Sequence, residues 1–306
     1  MPVYPALSFV RLKGGSIVLA ETTAPASTGG DLKIRRYDGD NALASTTVLD
    51  SAVCDNSLGR RRDGTLDLFY WKSTGASGFD FFDDLKHRYS RDGGVTWSAE
   101  QDVTTDFPMI SSNRGQWSAH CYLAERDALI WTAGSSSSDG GYLGALSSDG
   151  LSWTFTQKSG ITGGTISSVN RQSGNGRVYV MASSILYSYT SIPRAAAVTS
   201  YFSLTGYSSY SWWCFDLDER LGRIVAIALN AGGGGRWEVL VGTMDSGGIT
   251  WTWSTPQLVV SGVSNCRAWL NRNPDGRWEF AYVDSGGAIQ WLRCSSISSA
   301  GVGTWS

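Results

Sequence analysis

Three Gly- and Ser-rich segments of the 306-residue chain carry aromatic or cationic side chains that could bind a sugar. Aromatic rings stack on the apolar faces of sugars, while nearby amide and guanidinium groups bond the sugar hydroxyls. The alternative interpretation is that these rings pack within the fold. The candidate ligand-binding residues are Phe79, Phe81 and Phe82 in the first segment, Arg114 and Trp117 in the second, and Tyr207, Tyr210 and Trp212 in the third.

A few carboxylates in the first third of the chain could support a second chemistry, the hydrolysis of a glycosidic bond. That reaction needs two carboxyl groups facing each other across the bond. The possible members of such a catalytic pair are Asp31, Asp55, Asp83 and Asp84. Each of the four also fits the interpretation of a surface acid or a turn cap.

Histidine and cysteine usage argues against a metal site. The chain has two histidines and five cysteines, and no two cysteines have the Cys-x-x-Cys spacing typical of zinc ligands. We therefore expect no metal and no cofactor. Four cysteines fall on predicted innermost strands, where small buried thiols are favoured over disulfides; they are Cys54, Cys121, Cys214 and Cys266.

Charge and hydropathy exclude several classes of partner. The net charge is −2, and no basic stripe is interleaved with aromatic residues, so we expect no nucleic-acid partner. The run 60–62, three arginines, is predicted to be a solvated turn. No apolar run is long enough to span a bilayer, so we expect no membrane insertion. The N-terminus lacks the pattern of a signal peptide, which favours a virion or cytoplasmic location over secretion.

A short motif recurs along the chain and positions these candidates. Each copy runs Ser or Thr, Asp, Gly, Ser or Thr, Trp, which predicts a tight turn before a strand: Asp and Ser cap backbone N–H groups, and Gly supplies a positive φ. A degenerate copy over 299–305 lacks the aspartate. The shared residues of the other copies are Ser90, Asp92, Gly94 and Trp97, then Ser147, Asp149 and Trp153, then Asp245, Gly247 and Trp251.

This motif resembles the Asp-box, or bacterial neuraminidase repeat, of sialidase-like β-propellers. The resemblance implies that the box lies on the turn between the third and fourth strands of a blade and is structural. The box occurs in glycosidases and in propellers without enzymatic activity, so it indicates a fold more strongly than a function.

The number of repeats follows from two spacings, that of the box tryptophans and that of the polar turns. The box tryptophans fall at 97, 153, 251 and 305, which fits one period of about 50 residues and one degenerate box near residue 200. Six polar turns, each before an apolar run, centre on Gly15, Gly64, Asp127, Gly176, Gly222 and Gly276. The prediction is an all-β, six-bladed β-propeller of four-stranded antiparallel blades. It forms one domain over 1–306, and the N-terminal segment closes the ring.

The resemblance also assigns two faces. Box turns share one face with the turns between first and second strands, and the ligand-binding loops lie on the opposite face. The loops expected there are 21–30, 72–83, 106–116, 133–141, 204–211 and 230–236. They include the candidate sugar-binding residues or lie beside them.

Sialidase activity itself is not expected. Enzymes of the family begin with Arg-Ile-Pro-x-Leu, whose arginine grips the substrate carboxylate, and here Val3 holds the arginine position. A second expected arginine is replaced by Thr23. The sequence thus favours a non-catalytic propeller that binds glycans or docks a partner.

The setting and the alternatives stay open. Ser- and Gly-rich loops without a secretion signal suggest a phage tail or virion component, such as a tail fibre used in host attachment, with other virion proteins as partners. A glycoside hydrolase acting on surface polysaccharide and a purely structural ring in a larger assembly are the alternatives. The oligomeric state is left open.

Overall fold

The computed structural model describes residues 6–23, 29–61, 63–72, 84–103, 117–123, 127–133, 141–147, 149–158, 166–172, 178–182, 185–189, 200–203, 210–218, 221–230, 232, 235–244, 251–263, 268–273 and 275–306. The chain divides into two compact units, Met1–Gly164 and Thr165–Ser306. Over these ranges the regular elements are β-strands, and no helix there is long and apolar enough to cross a membrane.

The first unit contains two antiparallel sheets. The strands of the first are Ala6–Arg11 (β1), Ile17–Thr22 (β2), Gly30–Tyr37 (β3), Leu43–Arg60 (β4), Leu66–Lys72 (β5), Asp84–Ser90 (β6) and Gln101–Asp102 (β7). Those of the second are Trp117–Leu123 (β8), Asp127–Ala133 (β9), Gly141–Leu146 (β10) and Trp153–Lys158 (β11). In both sheets the strands lie side by side in chain order, as in a meander.

The long strand β4 belongs to two consecutive meanders. Its first part pairs with β3 and its last part pairs with β5, and both pairings meet at Val53. Ala52 adopts a positive φ of 57° beside the change of partner. The outermost strand of one meander therefore becomes the innermost strand of the next without a loop.

The second unit contains three further meanders. Their strands are Ile166–Gln172 (β12), Val178–Ala182 (β13), Ile185–Tyr189 (β14) and Ser200–Ser203 (β15); then Tyr210–Asp218 (β16), Arg223–Asn230 (β17), Arg236–Met244 (β18), Trp251–Trp253 (β19) and Gln257–Ser261 (β20); then Ala268–Arg272 (β21), Trp278–Val283 (β22) and Ile289–Cys294 (β23). Both β19 and β20 pair with β18.

The last meander gains a partner from the C-terminus. Ser306 and Arg293 exchange two backbone hydrogen bonds of 2.8 and 3.0 Å, so the last residue pairs with β23. Residues 1–5, which the sequence predicts to close this blade, lie outside the described residues. Closure by the N-terminus and a single domain over the whole chain stay predictions.

In the four meanders whose second strand has described side chains, that strand forms the core, as the predicted apolar runs require. Every residue of β2 and β22 is buried, and β5 and β17 are buried except for their last residues. Strands apolar on both faces fit between neighbouring sheets. All six predicted apolar runs correspond to second strands, and four of the turns before them carry a glycine with positive φ: Gly15, Gly64, Gly222 and Gly276.

The first Asp-box forms a capped turn between β6 and β7. The Ser90 hydroxyl accepts the N–H of Gly94 and donates to Asp92, both at 2.8 Å. Asp92 also accepts the N–H groups of Val95 and Thr96 and the Thr96 hydroxyl, the last at 2.6 Å. These bonds, led by that hydroxyl, lower the pKa of Asp92 to about 2. After the turn, Trp97 packs against the apolar cluster between the first two meanders.

The second box joins the third meander to the second. The Ser147 hydroxyl donates to Asp149, as Ser90 does to Asp92, and the Trp153 indole N–H points at a ring nitrogen of His87, 3.3 Å away. Arg61 donates to the Gly150 carbonyl at 3.1 Å and forms a bidentate pair with Asp67. Arg61 is only 7% exposed, so the predicted solvated turn over 60–62 is wrong at its centre.

The fourth box begins one residue earlier than its sequence suggests. Ser298, rather than Ser299, accepts the N–H of Val302 through its hydroxyl, at 3.1 Å. This places Ala300 at the aspartate position and gives the copy the full length of the first box. In the third copy Asp245 and Gly247 lie outside the described residues, while Trp251 is buried at the start of β19.

The cysteine prediction is confirmed for the thiols that the structure describes. Cys54 and Cys214 are buried thiols on inner strands, and Cys294, on β23, is also a buried thiol. Burial raises the pKa of the Cys214 thiol. Cys121 lies on β8 with its side chain undescribed, and Cys266 lies outside the described ranges.

Candidate functional site

The strands of the fifth meander, β16 to β20, bring four polar side chains to one sheet end. Register pairs Tyr210 with Asn230, and Asn230 with Arg236. At the other end β18 finishes at Met244, beside the third box. The polar end is therefore opposite the box turn, as the resemblance predicts for a ligand-binding face.

A β-bulge in β16 places Tyr210 in this group. Cys214 pairs with Ile227, but Ser211 already pairs with Leu229, so Trp212 and Trp213 together oppose one residue. Side chains alternate across a strand, and the extra residue reverses the alternation. Tyr210 consequently lies on the same face as the core residue Phe215 instead of the opposite one.

Glu238 is the centre of the cluster. The Tyr210 hydroxyl donates to its carboxylate, and the Asn230 amide donates to the same oxygen at 3.3 Å. The Arg236 Nε lies 3.3 Å from the other oxygen. Glu238 is 7% exposed, whereas the Arg236 side chain is 41% exposed. The buried carboxylate thus accepts two hydrogen bonds and forms an ion pair with Arg236, whose Nε has no hydrogen-bond partner. The outer part of the guanidinium faces solvent.

A glycine fixes the approach of Arg236. Gly235 has a φ of +73°, and its carbonyl accepts the N–H of Val263 at 3.1 Å. A Cβ at this position would lie 2.1 Å from the Val263 carbonyl oxygen, so no larger residue fits without a backbone shift. The start of β18, and Arg236 with it, is therefore held against the end of β20.

Tyr210 also contacts apolar side chains. Its ring packs against the buried cluster that includes Phe215, Leu240 and, from the fourth meander, Leu186. The ring is only partly buried. It can therefore offer apolar surface beside the polar groups, which is the combination that sugar sites use.

Of the residues predicted from the sequence, Tyr210 is the one that the structure places in a described cluster. Trp212 lies in the bulge and Trp117 opens β8, and the side chains of both are undescribed. Asp31 is exposed, with its backbone bonded to Thr23. Asp55 is 1% exposed, which removes it from contact with a substrate. Phe79, Phe81, Phe82, Arg114 and Tyr207 lie outside the described residues.

Three members of the cluster around Glu238 were not singled out by the sequence analysis. Asn230 and Arg236 bound a loop that was expected on the ligand face, but neither was singled out. Glu238 carried the clearer signal, because it is a charged residue in an apolar strand, and a buried charge needs partners.

A second polar cluster lies in the first unit, around the Tyr70 hydroxyl. Asp50 and Glu100 approach this hydroxyl at 2.9 and 2.6 Å, and Arg88 Nε donates to it at 2.9 Å. Burial raises the pKa of Tyr70. Burial opposes ionisation of Asp50 as well, but hydrogen bonds from Glu100 and Lys72 lower the pKa of Asp50 to about 2. The cluster pairs its acids with bases and joins β4 to β5 and β6.

The described residues contain no group of three or more His, Cys, Asp or Glu side chains arranged to hold a metal ion.

Comparison with known proteins identifies the fold. The chain is similar to the intramolecular trans-sialidase from Ruminococcus gnavus, with TM-score 0.67 and 13% identity over 97% of this chain and 95% of that chain. It is similar to the Aleuria aurantia lectin, described as a six-bladed β-propeller with a fucose recognition mode, with TM-score 0.64 and 13% identity over 100% and 96%. It is also similar to the NanB sialidase from Streptococcus pneumoniae, with TM-score 0.65 and 8% identity over 95% and 67%.

These likenesses confirm the predicted fold class. The chain has the sialidase-like, six-bladed β-propeller fold. The sequence matches no protein-family model and no curated protein. At these identities the likeness establishes the architecture, and the function has to be argued from the site.

Proposed function

We propose that this protein binds glycans without cleaving them, at the strand ends opposite the Asp-box turns. The observation that carries the proposal is the cluster at the start of β18, where buried Glu238 orders Tyr210, Asn230 and Arg236 at one edge. The binding surface then consists of one partly buried ring, one exposed guanidinium and one amide. Such preorganised groups lose little entropy when a ligand binds.

The structural neighbours support this proposal. One of them is described as recognising fucose, and others are sialidases, so proteins of this architecture repeatedly act on or bind sugars. The candidates Trp212 and Trp117 remain candidates from sequence. Phe79, Phe81, Phe82, Arg114 and Tyr207 remain candidates from sequence. A virion or tail setting has no support from the neighbours and forms no part of the proposal.

Glycoside hydrolysis is the second candidate, because two of the neighbours are sialidases. Incubation with sialylated and neutral polysaccharides, followed by assay of free sialic acid and reducing ends, separates the two functions. Binding without release supports the proposal. Release that is abolished by Asp31→Asn would establish the hydrolase instead.

A glycan array tests binding directly. We expect wild-type protein to bind a defined subset of glycans and Arg236→Ala to lose at least tenfold in affinity, because a charge-assisted hydrogen bond contributes about 1.5–3 kcal/mol. Arg277→Ala is the matched control, since it removes an arginine that is 65% exposed near the opposite end of a neighbouring sheet. Wild-type protein that binds no glycan, or equal losses in both variants, would refute the proposal.

A further inference from the structure

We infer that this site takes a linear oligosaccharide, which lies across the strands of the fifth meander from Tyr210 on β16 to Leu258 on β20. The inference rests on the proposed function, because it names the class of glycan that the same sheet end binds. What it adds is an outer half of the site, formed by two residues of β20.

The outermost strand presents two side chains on the same face as the cluster. Ser261 pairs with Arg236, and Leu258 pairs with Glu238. Directly paired residues of antiparallel strands share a face, and so do residues two apart along one strand. Ser261 and Leu258 therefore lie on the face that carries the cluster around Glu238.

A β-bulge in β20 is what brings both side chains to this face. The pairing of β20 with β18 shifts by one residue, and Val259 is the extra residue. Without it, Leu258 and Ser261, three positions apart, would lie on opposite faces. The burial agrees with this assignment, because both of these side chains are exposed, whereas Gln257 and Val260 are half-buried.

The surface that results is apolar at its two ends and polar between them. Tyr210 supplies a partly buried ring on the inner strand, and Leu258 is 57% exposed on the outer strand. Between them lie Arg236, with its outer guanidinium in solvent, and the exposed Ser261. A sugar chain offers the matching pattern, since its C–H faces contact apolar side chains and its hydroxyls bond polar ones.

The length of this surface indicates how many sugar units it holds. The strands follow one another as β16, β17, β18 and β20, so the outer two are three separations apart, about 14 Å. A pyranose ring is similar in length to one such separation. A single ring can therefore contact Tyr210 or Leu258 but not both, whereas about three linked rings reach from one to the other.

The dependence of affinity on chain length is the first test. The probes are linear gluco-, xylo- and chito-oligosaccharides of one to six units, titrated into the full chain and followed by NMR. For a series that binds, affinity should rise about tenfold or more from one unit to three. It should then change by less than about twofold from three units to six, because further units extend beyond Leu258.

The variant Leu258→Ser separates the outer half of the site from the inner half. It should weaken binding of the trisaccharide about fivefold, because it removes the exposed half of an apolar side chain from the contact. Binding of the monosaccharide should stay within about twofold of wild type. Leu43→Ser is the matched control, since Leu43 is 52% exposed on the outermost strand of the first meander. Thermal melting checks that both variants are folded.

The outcomes separate this inference from the proposed function. Equal affinities for one unit and three, or equal effects of the two leucine variants, would show that the inference is wrong while glycan binding stands. The same conclusion follows if no oligosaccharide series binds but single terminal sugars on the array do. If the protein binds neither the series nor any array glycan, the proposed function itself fails.

Discussion

Replacing Gly94 by alanine tests how the first Asp-box holds the neighbouring meander. Gly94 has a φ of +82°, a conformation that costs a residue with a Cβ about 1–2 kcal/mol. A Cβ there would also lie 2.9 Å from one methyl of Val18 and 3.3 Å from the other. Val18 is fully buried, so the methyl groups have little room to move. Overpacking of this kind costs about 1–3 kcal/mol more.

Gly64 provides the matched control. Its φ is +95°, close to that of Gly94, but a Cβ there meets nothing within 4 Å. Gly64→Ala should therefore cost only the backbone strain, about 1–2 kcal/mol. The difference between the two variants isolates the contact of the box with β2.

Chemical denaturation and thermal melting of both variants give the comparison. We expect Gly94→Ala to be less stable than Gly64→Ala by about 1–3 kcal/mol, or several degrees in melting temperature at about 2 °C per kcal/mol. Equal stabilities would show that the box turn is not packed on Val18. The interpretation that the first Asp-box stabilises the contact between the first two meanders would then be wrong.

Three further predictions concern the boxes. Ala300→Asp should restore the missing cap of the fourth box and raise the free energy of unfolding by about 1 kcal/mol in denaturation experiments; a loss of stability would contradict the assigned frame. The carboxyl carbon of Asp92 should titrate near pH 2 by NMR. Because its folded pKa lies below the unfolded value, the cap's stabilisation is complete above about pH 4 and is lost as the pH falls towards 2; a midpoint near 4 would contradict the bonds. Arg61→Ala should cost about 3 kcal/mol by leaving Asp67 buried with less compensation; a neutral result would contradict this.

The architecture could be predicted from the repeat spacing, because the turns and strands that define the spacing carry strong local sequence signals. Positive-φ glycines and Asp or Ser caps mark turns wherever they occur, and the apolar runs between them must be buried. The second strands of all six meanders could be predicted for this reason. The fourth box was found, but its serine was misplaced by one residue, since Ser298 and Ser299 differ only in the turn geometry.

The course of β4 could not be predicted, because nothing in its sequence breaks the strand. The change of partner occurs at Val53, next to Ala52, and no proline or glycine marks it. Arg61 was misjudged for a related reason. Its burial depends on Asp67 and on the second box, 89 residues away at Gly150, and no local pattern reports such contacts.

The candidate site was only partly visible in the sequence. Tyr210 was identified from its neighbourhood of aromatic residues, but its contact with Glu238 depends on the bulge at Trp212 and Trp213. A shift of one residue in register decides which face a side chain occupies. Periodicity alone would have placed Tyr210 on the wrong face.

Chemical-shift mapping with the tightest-binding glycan from the array tests the central claim most directly. On titration into the isotope-labelled full chain, the backbone amides of Tyr210, Asn230 and 236–238 should shift together with a single dissociation constant. Shifts confined to the box turns, such as 90–97 and 298–305, would place the ligand at the opposite strand ends and contradict the account.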